Sequence, residues 1–192
     1  MAADLQIPQA YMDPTVVFGA DYVMIQPFFQ YHFPPKHLSP QSWGLHETLS
    51  DTQKDTLYSR MLTVVGMTGS DILFSHSLGL KNSNDLKKVA SMGLADSTFI
   101  CDRRKGFSTI VNATASRKGE HNLTALSRRL RDSFAHGRIG SFDDFVLLED
   151  QSENKKTGSI SITGRIVLKK EDLMVWKNEI KQFADEIGFT IV

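Results

Sequence analysis

Apolar residues recur along the second half of the chain in two rhythms. Leu123, Leu126, Leu130 and Phe134 fall at helical spacing and are soon followed by Gly137. That is the arrangement of an amphipathic helix, about 122–136, closed by a left-handed stop. Leu173, Trp176, Ile180, Phe183 and Ile187 repeat the pattern and end at Gly188, predicting a C-terminal helix over about 171–187. Between them the period shortens. "FVLLED" and "SISITGRIVLK" have strand composition and are joined by the polar "QSENKKTG", so about 142–169 reads as a long-looped β-hairpin.

Towards the N-terminus the signals are more local. Ser50 and Gln53 stand at capping-box spacing, ahead of an apolar stripe of Leu57, Met61, Val64 and Val65. Ser70-Asp71 is expected to open another helix through Ile72, Leu73 and Leu78. Residues 84–92 read as helical, and so do 99–114, with Phe99, Phe107, Ile110 and Val111 inward and Arg103 and Arg104 outward. All six prolines lie between positions 8 and 40, which forbids a long helix there. Val16–Val17–Phe18 and Tyr22–Val23–Met24–Ile25 read as short extended pieces. The many aromatics of this region require burial, so residues 1–45 form an arm packed on the main body or a partner, ahead of a helical domain over 46–192. His32, His37 and His46 are expected as exposed loop residues, with no ligand pair that supports a metal site.

Composition narrows the class. An apolar content of 41% over 192 residues suits one domain with a substantial core. The single cysteine, Cys101, excludes an internal disulfide framework and points to a reducing compartment. The first residues show no basic region followed by an apolar run, and no stretch approaches about eighteen uninterrupted apolar residues. The expectation is a cytoplasmic protein with no membrane contact and no cofactor. Formal net charge is zero, but residues 101–140 hold nine Lys and Arg against three Asp and Glu. The chain thus concentrates positive charge in one segment, as an anion-binding surface does, although a solvated basic helix face has the same composition.

That segment contains "SRRLRDSFAHGRIG". On a helix, Arg128, Asp132 and His136 form one polar ridge at spacing four, with Arg131 flanking it and Leu130 and Phe134 facing elsewhere. Histidine near neutral pKa exchanges protons with a ribose 2′-hydroxyl or a leaving 5′-oxygen, and arginine steadies the charge on a phosphate. Asp132 is placed to fix the imidazole tautomer. These residue types suit RNA cleavage without metal, leaving a 2′,3′-cyclic phosphate. One helix carries one histidine, so two copies across a twofold axis would supply both acid and base. The plainer account is a C-terminal helix cap at His136 and an i,i+4 ion pair between Arg128 and Asp132.

"LRDSFAHGRI" resembles the signature of the HEPN superfamily, R-x4–6-H with a polar residue after the arginine and glycine after the histidine. Arg131, Asp132, His136 and Gly137 match it, and the following hairpin and helix resemble the plasmid-encoded HEPN groups. The resemblance implies a mainly α fold, a HEPN-like helical bundle with a β-hairpin inserted before the C-terminal helix, pairing as a homodimer through the motif helices. It implies a metal-independent endoribonuclease, a toxin or phage-defence effector, with Arg131 gripping the scissile phosphate, His136 as general acid/base and Asp132 orienting it. Arg128, Arg129, Arg138, Arg103 and Arg104 are the expected RNA-binding cations, and a neutralising antitoxin is a possible partner. Active members most often have asparagine after the arginine, where this chain has Asp132. Members silenced by tyrosine modification carry tyrosine two after the histidine, where this chain has Arg138. The alternative is an inert HEPN domain that binds RNA, nucleotide or a protein.

Overall fold

A computed structural model describes residues 4–6, 11–67, 72–75, 99–101, 108–112, 120–142, 144–153, 155–158 and 160–191. Helix outweighs strand among them, and the strands gather mainly into one five-stranded sheet. In chain order the strands are β1 (Asp4–Gln6), β2 (Ile72–Ser75), β3 (Phe99–Cys101), β4 (Ser108–Asn112), β5 (Ile139–Phe142), β6 (Phe145–Glu153) and β7 (Ile160–Lys169). The helices are α1 (Pro14–Phe18), α2 (Tyr22–Pro27), α3 (Leu45–Thr48), α4 (Asp51–Val64), α5 (Asn122–Ala135) and α6 (Asp172–Glu186).

The sheet runs β2-β4-β7-β6-β5, with β2 and β4 parallel and the remaining pairs antiparallel; β1 and β3 pair separately. The predicted hairpin is therefore present as β6–β7, at the middle of a larger sheet. Two expected helices are not. Residues 99–114 contain strands β3 and β4, and Ile72 begins a strand rather than continuing a helix. Short runs such as "STIVN" and "ILFS" satisfy both periods, and β4 is settled by its ladder with β7, far along the chain. The helix read over 84–92 lies outside the described residues.

The N-terminal segment also departs from expectation. Residues 14–18 and 22–27 are helical, not extended. For the first of them Asp13 is the reason: its side chain accepts from the Thr15 N–H at 2.9 Å, and Pro14 occupies the first helical position. That start signal overrides the strand preference of the valines. A 3₁₀ turn follows α1, and a π-helical turn at Phe28–His32 carries the chain past Pro27. Of the three histidines, His37 is exposed and His32 half-buried, stacked on Trp43 at 4.9 Å. His46 is the correction: it is 4% exposed, because α3 turns it inward against Phe33.

The longer helices follow their sequence signals closely. Ser50 and Gln53 form the reciprocal capping box at the start of α4. Leu57 and Met61 are fully buried, while Val64 is 42% exposed and Leu62 takes its place inward. In α6, Leu173, Trp176, Ile180 and Phe183 are buried. Helices α4 and α6 are tied together by Trp176, whose Nε1–H donates to the Met61 carbonyl at 2.6 Å, and by Arg60, which pairs with Glu179 and Glu186. No helix among the described residues is long and apolar enough to cross a membrane.

Candidate functional site

Helix α5 lies between two layers. Its predicted stripe, Leu123, Leu126, Leu130 and Phe134, is buried throughout. Phe134 stacks on Phe29, centroids 6.1 Å apart, and meets Phe18 at 5.9 Å. The aromatic segment thus forms one wall beneath the motif. On another side α5 faces β6, and there Ser127, Arg129 and Ser133 are buried as well. The helix starts at His121, whose Nδ1 accepts from the Leu123 N–H at 3.2 Å while Nε2 meets Asp55 at 3.0 Å. Nδ1 is thereby the acceptor and Nε2 carries the proton.

The C-terminal end has the form that the glycine predicts. His136 is the C-cap, and its N–H bonds back to the Asp132 carbonyl at 3.1 Å. Gly137 has φ of 62°, its N–H reaches the Phe134 carbonyl, and the Arg138 N–H reaches the Ser133 carbonyl. These two bonds make a Schellman motif, which closes the helix and turns the chain directly into β5. His136 stands exposed on this turn, and no side-chain hydrogen bond or ion pair engages its ring among the described residues.

The cations around it are distributed differently from the expectation. Arg131 Nη1 donates to Asp132 Oδ1 at 2.6 Å, so the acid placed to orient the histidine is engaged by the motif arginine. Arg128 does not pair with Asp132 along the ridge. It makes a two-pronged pair with Glu120, Nε to Oε1 at 3.0 Å and Nη2 to Oε2 at 2.8 Å. Arg129 is 1% exposed and pairs with Asp150 of β6, which removes it from any RNA-facing surface. Burial pulls its guanidinium below the ordinary arginine value, Arg128 adds to that, and Asp150 opposes it. Arg138, about a quarter exposed, has its Nη1 3.7 Å from the other Asp150 oxygen. Arg103 and Arg104 lie outside the described residues. The structure thus brings Arg131, Asp132 and His136 together on the last turns of one helix and turns Arg128 and Arg129 to protein carboxylates.

Asp150 and Glu120 are the residues that sequence reasoning missed. A signal existed for the first: "FVLLED" puts an acid inside a run that must be buried, and a buried carboxylate needs a cation. A cleft of about 420 Å³ opens elsewhere, lined by Val17, Phe18, Ile25, Asp144 and Lys170 among others. No motif residue is among those named as lining it; the motif lies at the C-terminal end of α5. No family model, curated protein or solved structure matches this chain.

Proposed function

We propose that the protein is a metal-independent endoribonuclease of the HEPN type, built on a HEPN-like core and acting on cellular or foreign RNA as a toxin or defence effector. One observation carries the reading. His136 is held exposed by the Schellman turn, its ring ungripped by any described side chain, with the Arg131–Asp132 pair one turn away. Imidazole takes the ribose 2′-hydroxyl proton, the 2′-oxygen attacks phosphorus, and the 5′-oxygen leaves with a proton from imidazolium, giving a 2′,3′-cyclic phosphate. A single motif supplies one histidine, so the active form is a homodimer in which two α5 ends face each other and share the work. Arg131 meets the phosphate after exchanging Asp132 for it.

A second reading has its own support. Arg131 is already neutralised by its neighbour, and Arg128 and Arg129 are turned to Glu120 and Asp150. This favours an inert domain that binds RNA, nucleotide or a protein partner. A cleavage assay in EDTA, with size measured by light scattering, separates the two. The ribonuclease reading expects a dimer that cleaves RNA to cyclic-phosphate ends, with cleavage lost in His136→Ala and Arg131→Ala. RNA binding that survives His136→Ala, without cleavage by the wild type, establishes the second reading. A monomer that neither binds nor cleaves RNA sinks the ribonuclease reading and leaves the second only its nucleotide or protein partner.

A further inference from the structure

We infer that Asp150 is a positioning residue for His136: one carboxylate on β6 holds two arginines that bracket the motif turn and so fixes where the histidine stands. Arg129 lies seven residues before His136 and Arg138 two after it. Arg129 Nη1 donates to Asp150 Oδ2, and Arg138 Nη1 lies 3.7 Å from Oδ1, so each oxygen serves a different guanidinium. Asp150 is 5% exposed and Arg129 1%, so that pair is buried between helix and sheet, with Arg138 at its edge. The backbone repeats the tie. The Glu149 N–H donates to the Arg138 carbonyl at 3.0 Å, and the Arg138 N–H closes the helix on Ser133. Gly164 is the cross-strand neighbour of Asp150, and the register slips by one residue directly after it.

The physical consequence is directional. A neutral side chain at 150 removes the charge that Arg129 and Arg138 share, and with it this tie between helix and turn. Arg129 is fixed within a helix, whereas Arg138 sits on the short turn next to solvent. The turn therefore yields, and His136 moves with it. An arginine flanking a catalytic histidine reads from sequence as an RNA contact; here the pair Arg129 and Arg138 acts inward, through Asp150.

The effect on cleavage rests on the ribonuclease reading, but the effect on His136 does not. The test uses the isotope-labelled full chain as wild type, Asp150→Asn, Arg138→Gln and the double variant, with the His136 Cε1–H resonance assigned through His136→Ala. Both single variants are expected to move this resonance and its titration midpoint more than those of any of the other five histidines. Amide signals of α6 stay in place. The double variant moves no further than Asp150→Asn alone, because the two changes act through one contact. Should Asp150→Asn fail to fold, Arg138→Gln decides, since it keeps the Arg129–Asp150 pair. A folded Arg138→Gln with the His136 signal unmoved overturns the proposal. In RNA cleavage, Asp150→Asn is expected to lower kcat about tenfold or more with KM little changed, the signature of misplacement. A raised KM with unchanged kcat in Arg138→Gln would make Arg138 an RNA contact and also overturn it. If the wild type cleaves no RNA, the ribonuclease reading falls while the resonance experiment still decides the role of Asp150.

Discussion

Arg131 Nη1 and Asp132 Oδ1 lie 2.6 Å apart on adjacent residues of α5, and the two side chains remain 33% and 20% exposed. An incoming phosphate therefore competes with a carboxylate already in place. Such a part-exposed pair is worth about 0.2–1 kcal/mol. Asp132→Asn is expected to tighten RNA binding by about two- to fivefold at moderate salt and to leave thermal stability nearly unchanged. Fluorescence anisotropy with a labelled oligoribonucleotide measures it. Weaker binding in Asp132→Asn would mean that the carboxylate helps the site rather than occupying its arginine.

Gly137 holds φ of 62°, and a Cβ built there meets nothing within 4 Å. The cost of a side chain is therefore conformational rather than steric. Gly137→Ala is expected to destabilise the fold by about 1 kcal/mol, and Gly137→Asn by less, because asparagine tolerates the left-handed region. Thermal unfolding of the two variants gives the ranking, and equal stability of alanine and glycine would contradict it.

His46 sets an acid limit on stability. Burial, and then the charges of Lys54, His121 and His37, push its pKa from the ordinary 6.5 down to about 3. Between these values the unfolded chain binds a proton that the folded chain refuses. Stability from this group is complete above pH 6.5 and declines as pH falls towards 3, by roughly 1 kcal/mol per pH unit. Urea unfolding at stepped pH should show that slope, and His46→Phe should flatten it. A slope that persists unchanged in a folded His46→Phe protein assigns the acid sensitivity to other groups.

The Met61 carbonyl belongs to the last turn of α4, where the Val65 N–H turns instead to Leu62 and Thr63. Trp176 Nε1–H supplies the bond that the helix does not. Trp176→Phe leaves a buried carbonyl without this donor and is expected to cost about 1–3 kcal/mol. Denaturant titration measures the loss, and a neutral result would show that relaxation or water satisfies the carbonyl.

Wherever periodicity and burial coincide over three or more turns, the sequence was legible. The α5 stripe, the α6 stripe, the Ser50 capping box and the Gly137 stop all lie where their residues place them. Residues 72–75 and 108–112 were not legible, because a short apolar run is compatible with either period and β4 is decided by a distant partner strand. The aromatic region misled for the opposite reason: one local cap at Asp13 outweighs several strand-forming side chains. Of the site, the exposed His136 and its glycine were readable. The partners of the arginines were not, since nothing about Arg128 or Arg129 announces Glu120 or Asp150. Charge type states what a residue needs, not which strand answers it.

The stacking of Phe134 on Phe29 and Phe18 bears on how the molecule has to be handled. Phe134 is two residues from His136, so the rings of residues 18–33 are the floor under the motif. A version of the protein trimmed to begin at residue 46 would present that floor's underside, Phe134 included, to water. It would aggregate or go silent for reasons unrelated to RNA. Conversely, any ligand able to pry the first helices loose would gain leverage over the histidine without touching it.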